Sequence, residues 1–188
     1  MSTAELHILK FGGTSVGTAE RLLRVLEIIR AERAIRPVAV VVSAMGDTTD
    51  RLLEAADLAA VGRLPEAEAV VDAVADACTR AGLLAEDRLR AGGADGALPS
   101  VTPLVREHFA PLRQILYGVS LLKELTAQTR DLILAFGEGL SIHVVANLLT
   151  LSGVPAFRLD ARDWVVTDDR YGAAFVDAAA TRARIRTL

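Results

Sequence analysis

Lys10-Phe11-Gly12-Gly13-Thr14-Ser15-Val16-Gly17 (KFGGTSVG) joins a short apolar run to the start of an amphipathic pattern. Leu6 to Phe11 reads as a buried strand bounded by glycines. Thr18 then suits a helix N-cap, with Glu20 in the first turn and Arg30 and Arg33 near the end. Leu22, Val25, Leu26 and Ile29 share one face of that helix. A strand end meeting glycines and a helix start offers backbone N–H groups to an anion. Glycines also let a phosphate approach closely and tolerate φ > 0. The lysine stands before the glycines, whereas a Walker A loop carries it after them and a dinucleotide fingerprint needs G-x-G-x-x-G. On glycine content alone, a structural turn and a phosphate loop stand equal; a lysine at the strand's end favours the phosphate.

The same unit recurs once downstream. Pro37 precedes Val38 to Val42, a β-branched, wholly apolar run of the kind found in buried parallel strands. Ser43 ends it, and Gly46-Asp47-Thr48-Thr49 leads into a helix bearing Leu52, Leu53, Ala56 and Ala59. Strand–loop–helix twice over predicts an α/β domain with a mainly parallel sheet and right-handed crossovers.

Beyond it the pattern is helical. Pro65 suits the first turn of a helix carrying Val70, Val71, Val74 and Cys78. Ala91 to Pro99 reads as a flexible loop, and Pro103 as the opening of a helix with Leu104, Val105, Phe109, Leu112 and Ile115. From Thr129 to Leu151 a long helical pattern is interrupted at Gly137-Glu138-Gly139, and Gly153 and Pro155 punctuate its end. Val154 to Leu159 and Asp163 to Thr167 are further strand candidates. Asp168 to Gly172 forms a turn, and a last helix runs from Phe175.

Composition narrows the function classes. The 188 residues suit one domain with a real core. With a net charge of −3 and scattered basic residues, neither a nucleic-acid groove nor an anionic-membrane patch is expected. The single Cys78 excludes an internal disulfide framework and fits a reducing compartment. Residues 1–9 lack the pattern of a signal peptide, and Val38 to Val42 is too short to span a bilayer. A cytoplasmic, soluble protein is the expectation. His7, His108 and His143 are isolated, without metal-ligand spacing, and Cys78 falls on an apolar helix face. Of 21 basic residues only Lys10 and Lys123 are lysines, so a compact ammonium at position 10 stands out against an arginine-rich background.

Four stretches together resemble the aspartokinases, within the amino-acid kinase fold. They are KFGGTSVG, VVVSAMGDTTDRL at the second strand, FGEGLS mid-chain and LDARDWVVTDDRYG late in the sequence. They stand in that family's order and cover nearly the whole chain. The resemblance implies a three-layer αβα sandwich with a mainly parallel sheet. It further implies that residues 1–188 form one partial domain, the substrate lobe, with a helical insertion at about 62–128.

The implied reaction is ATP-dependent phosphorylation of the side-chain carboxylate of L-aspartate, the committing step toward lysine, threonine and methionine. Lys10 would neutralise charge on the phosphoryl group in flight. Gly12 and Gly13 would offer N–H groups to the same oxygens, with Thr14 beside them. Ser43 and Thr49 would contact the aspartate, and Glu138 would bind its ammonium group or help set the lysine. Magnesium is expected on the nucleotide, not on a protein site. Phosphoryl transfer relies on positioning and charge stabilisation, so no nucleophilic triad is needed. Ser43 equally suits a loop cap, and Thr49 the first turn of a helix.

Two features depart from the family pattern. Gly139 stands where a larger residue usually follows the glutamate. The family's glycine-rich GRGGSD-like and TDPR-like stretches and its regulatory ACT domains do not occur in these residues, which implies a missing ATP lobe. A homo-oligomer, a further C-terminal portion and a fusion partner are all compatible with the chain. Two other readings remain at this stage: a related kinase of the same fold acting on another carboxylate, carbamate or phosphate, and a non-catalytic interaction module.

Overall fold

The computed structural model describes residues 5–94 and 100–187. Two parallel strands, β1 (His7–Phe11) and β2 (Val38–Val42), pair in register from His7↔Val38 to Phe11↔Val42. Alternation along them decides which side faces the helices. Leu9, Phe11, Val38, Val40 and Val42 meet the hydrophobic core. Ile8 (66% exposed) and Val41 (48% exposed) stand on the opposite face.

The KFGGTSVG segment contains a feature its sequence did not announce, a one-turn helix α1 (Gly13–Val16), before α2 (Ala19–Arg33). Thr18 caps α2 as expected, its hydroxyl accepting from the N–H of Arg21. The helices α3 (Thr48–Ala60), α4 (Leu64–Ala91), α5 (Val101–Leu122) and α6 (Ala127–Leu151) follow. They pack on one another around Leu52, Val71, Phe109, Leu112, Ile133 and Leu140, all fully buried. Pro65 lies in the first turn of α4, and Gly93, at φ +96°, follows its end. Residues 95–99 of the expected loop lie outside the described residues.

Helix α5 begins at Val101, two residues ahead of Pro103. Ser100 stands at its N-cap without a side-chain bond. Glu86 of α4 takes the capping role: its buried carboxylate accepts from the Val101 N–H at 3.4 Å and pairs with Arg90 at 3.0 Å.

Helix α6 runs unbroken through Gly137-Glu138-Gly139, contrary to the expected interruption. Glycine in a helix costs about 1 kcal/mol relative to alanine. Here neighbouring elements need the space, because a Cβ at Gly137 would lie 2.9 Å from Ala44 Cβ and one at Gly139 2.9 Å from His108 Cε1. Tertiary packing therefore outweighs propensity. Among the described residues, α6 alone is long and apolar enough to cross a membrane by length and composition. Its contacts with α2, α3, α4, α5 and β2 account for that hydropathy by a central position in the core.

Two expected strands do not form ladders. Residues 154–159 carry no regular structure; Val154 and Ala156 pack against the core, yet the segment pairs with no strand among the described residues. Residues 161–163 make a 3-10 turn, and Thr167 forms an isolated antiparallel bridge with Val176. The last helix, α7 (Ala178–Ile185), starts later than Phe175 because Asp177 caps it, accepting from the N–H groups of Ala179 and Ala180.

Candidate active site

Three sequence motifs far apart in the chain meet at the C-terminal ends of β1 and β2. The Ser43 N–H donates to the Phe11 carbonyl at 3.0 Å, which extends the ladder one step past the strands. The Gly46 N–H donates to the Gly13 carbonyl at 3.1 Å, tying the second loop to the first. The contact is so close that a Cβ at Gly13 would lie 2.5 Å from the Ala44 carbonyl oxygen. Gly46 turns at φ +59°, a conformation that favours glycine. From the other side Gly137 of α6 presses on Ala44 and Thr48.

Glu138 completes the junction. Its Oε1 accepts from the Ala44 N–H at 3.4 Å in a half-buried setting. The carboxylate thus sits against the residue that follows Ser43, past the end of β2, whereas Lys10 alternates onto the exposed face of the pair with Ile8 and Val41. Ala44 itself is buried and contributes only backbone, so no side-chain signal marked it in the sequence.

Each expected site residue can be placed. Lys10 is exposed at the end of β1, in register with Val41, and has no hydrogen-bond or ion-pair partner among the described residues. Gly12 is extended (φ −74°, ψ 168°), and a Cβ there would project into open space. Its lack of a side chain therefore serves no packing need of the chain, whereas Gly13 is required for packing. Thr14 is exposed, and its carbonyl accepts from Arg21 at 2.6 Å. Ser43 is half-buried. Thr49 is half-buried in the first turn of α3. Its neighbour Thr48 is buried, donates its hydroxyl to the Met45 carbonyl at 2.6 Å and braces the loop.

Behind the second loop a cleft of about 170 Å³ opens beside Gly46, Asp47 and Thr48 and reaches Cys78. Burial pushes the Cys78 thiol up, so it is not the thiolate that nucleophilic chemistry needs. The late DDRYG stretch is organised as a turn. Asp168 accepts from the Phe175 N–H, its carboxyl held low chiefly by Arg170, and Asp131 of α6 accepts from the Gly172 N–H at 2.7 Å. No group of three or more His, Cys, Asp or Glu side chains among the described residues is placed to hold a metal ion. The donors present are one ammonium, loop amides and hydroxyls. That set suits the phosphates of a nucleotide carrying its own cation.

The profile of the amino acid kinase family matches residues 5–187. Aspartokinase 2, chloroplastic, from Arabidopsis thaliana is 34% identical over 173 residues, covering 91% of this chain and 30% of that protein. The aspartokinase of Chlamydia trachomatis is 34% identical over 172 residues, covering 92% of this chain and 34% of its own length. The chain thus spans about a third of the length of these curated relatives. Among solved structures, Escherichia coli aspartokinase III in complex with lysine and aspartate superposes with a TM-score of 0.78 at 22% identity, over 97% of this chain and 37% of that one. The same enzyme in complex with aspartate and ADP gives 0.76 at 23% identity. These superpositions show that the chain shares the fold of those structures.

Proposed function

Because the chain belongs to the amino acid kinase family, we propose that it forms the acceptor side of an aspartate kinase, making 4-phospho-L-aspartate from L-aspartate and ATP. The observation that carries this reading is the convergence at Ala44: Glu138 bonds to its N–H, Gly13 packs on its carbonyl, and Lys10 stands at the adjoining strand end. That arrangement puts an anion-binding loop beside a carboxylate able to hold an ammonium group. Relatives of this chain are named aspartokinases, and a neighbouring structure contains both aspartate and ADP.

ATP supplies the phosphoryl group, which passes to an oxygen of the aspartate side chain as ADP leaves, with magnesium carried on the nucleotide's phosphates. The acceptor carboxylate, with an ordinary pKa near 3.9, is already ionised at neutral pH, so no general base is required. The residues of this chain position the acceptor and stabilise charge instead. Lys10 offers a compact ammonium to the oxygens that gain charge. The open space at Gly12 lets them approach the backbone, where the amides of Gly12 and Gly13 donate, with Thr14 at the rim. Ser43 and Thr49 hold the aspartate through their hydroxyls, and Glu138 takes its ammonium group. Residues 1–188 act as the substrate lobe, with α4 and α5 in the helical insertion. The product leads toward lysine, threonine and methionine.

Titration calorimetry tests the acceptor assignment. L-aspartate is expected to bind saturably, with L-glutamate and carbamate much weaker. Absence of saturable aspartate binding, or a preference for another acceptor, would overturn it.

A further inference from the structure

Gly139 leaves a gap beside Glu138 that another element fills. The imidazole of His108, on α5, lies over it: a Cβ at Gly139 would sit 2.9 Å from His108 Cε1 and 3.4 Å from Nε2. His108 Nε2 lies 2.8 Å from the Phe136 carbonyl. A carbonyl only accepts, so Nε2 carries the proton and donates. The ring also meets the Phe136 ring edge-on, with centroids 5.4 Å apart, and lies 5.2 Å from His143.

These contacts bracket Glu138. Two residues before it, at Phe136, the helix backbone is held by a hydrogen bond from α5. One residue after it, the helix is stripped to glycine so that the donor can reach. On the helix's other flank Gly137 is pressed against Ala44, whose N–H the Glu138 carboxylate accepts. A helix clamped on both flanks leaves its intervening side chain little freedom to rotate away from the strand ends.

We infer that His108 is a positioning residue: its hydrogen bond to the Phe136 carbonyl, in the space left by Gly139, holds Glu138 against the Ala44 N–H and so sets the acceptor's ammonium subsite. The second clause rests on the proposed acceptor role of Glu138; the first does not. Burial keeps the ring neutral at neutral pH by lowering its pKa, an effect Arg162 reinforces and the Phe136 bond and Asp160 oppose. A neutral ring with one N–H is what a single carbonyl acceptor requires. His108 thereby links the helical pair α4–α5 to the strand-end loops.

The test uses His108→Leu, which keeps bulk but removes the donor, and His108→Gln, whose amide can restore it. The readout is the backbone amide resonance of Ala44, compared by NMR with and without Glu138→Ala in each background. In the otherwise wild-type chain the resonance is expected to move when Glu138→Ala removes the acceptor. His108→Leu is expected to lose most of that response while folding is retained, and His108→Gln to regain it. Should His108→Leu fail to fold, Gly139→Ala displaces the ring without deleting it and is expected to give the same loss. An unchanged Ala44 response in the folded variants overturns the inference. Calorimetry with L-aspartate forms a separate arm, where about a tenfold weakening is expected in His108→Leu and near wild-type affinity in His108→Gln. Wild-type protein that binds no aspartate would refute the acceptor reading, while the Ala44 response would still decide whether His108 positions Glu138.

Discussion

Adjacent glycines in KFGG should respond in opposite ways to the same methyl group. At Gly13, a Cβ would lie 2.5 Å from the Ala44 carbonyl oxygen and 3.3 Å from that of Gly46. Both neighbours are backbone, held by the Gly46-to-Gly13 hydrogen bond, so neither can swing aside as a side chain would. Overpacking of this kind costs roughly 1–3 kcal/mol. At Gly12 the backbone is extended, any residue adopts it, and nothing lies within 4 Å of the added methyl. Gly12→Ala therefore leaves the fold intact and gains roughly 0.4–1 kcal/mol through the unfolded chain. For a chain of this length, 1 kcal/mol moves Tm by roughly 2–4 °C. Thermal unfolding followed by circular dichroism should show Gly13→Ala several degrees below wild type and Gly12→Ala at or slightly above it. Gly12→Ala should nonetheless weaken nucleotide binding, because the methyl would occupy the open space proposed for phosphate. Equal destabilisation by the two substitutions would refute the division between a packing glycine and a ligand glycine.

Three further outcomes follow from the same geometry. Glu138→Gln removes the charge offered to the acceptor's ammonium and should weaken L-aspartate binding roughly 10- to 100-fold, read by calorimetry. Glu86→Ala strips the buried cap from α5 and should cost roughly 1–3 kcal/mol, lowering Tm, whereas Glu86→Gln keeps an acceptor and should cost less. His108 and His143 are held neutral in the folded chain, each chiefly by burial, with Arg158 and His108 adding to the effect at His143. The unfolded chain takes up these protons near pH 6.5, before the folded one does. Stability should thus be full above about pH 6.5 and decline on acidification, and chemical denaturation from pH 7.5 to 5 should show a shallower decline in His108→Gln. The depressed carboxyls of Asp160 and Asp168 add their losses only below about pH 4.

The sequence revealed the parts of the site that are written locally. Leu6 to Phe11 and Val38 to Val42 carry the apolar signal of buried strands, and Lys10 near the end of the first, with the glycines that follow, suggests an anion loop. Thr18 was legible as a cap because capping is chemistry within three residues. Features set by distant contacts were not legible. The Gly137-Glu138-Gly139 stretch reads as a break because glycine weakens an isolated helix, whereas Ala44 and His108 need that space in the folded chain. His108 reads as an isolated histidine because its contact with Gly139 joins two helices 31 positions apart. Thr48 and Thr49 are equivalent on paper, and only the turn of α3 decides which braces the loop and which faces outward. Residues 154–159 are apolar enough to suggest a strand, but an apolar run says nothing of a ladder partner. Helix α1, a single turn, is too short to carry any periodicity.

KFGG, SAMGDTT and FGEG are proposed to form one acceptor and phosphate site at the strand ends. The most direct measurement is a residue-resolved NMR titration of the chain with L-aspartate. Saturable shifts are predicted at Ser43, Ala44, Thr49 and Glu138, with Gly12 and Gly13 responding at the edge of the site and α7 silent. Saturable shifts clustered elsewhere, or none at those positions, would contradict it.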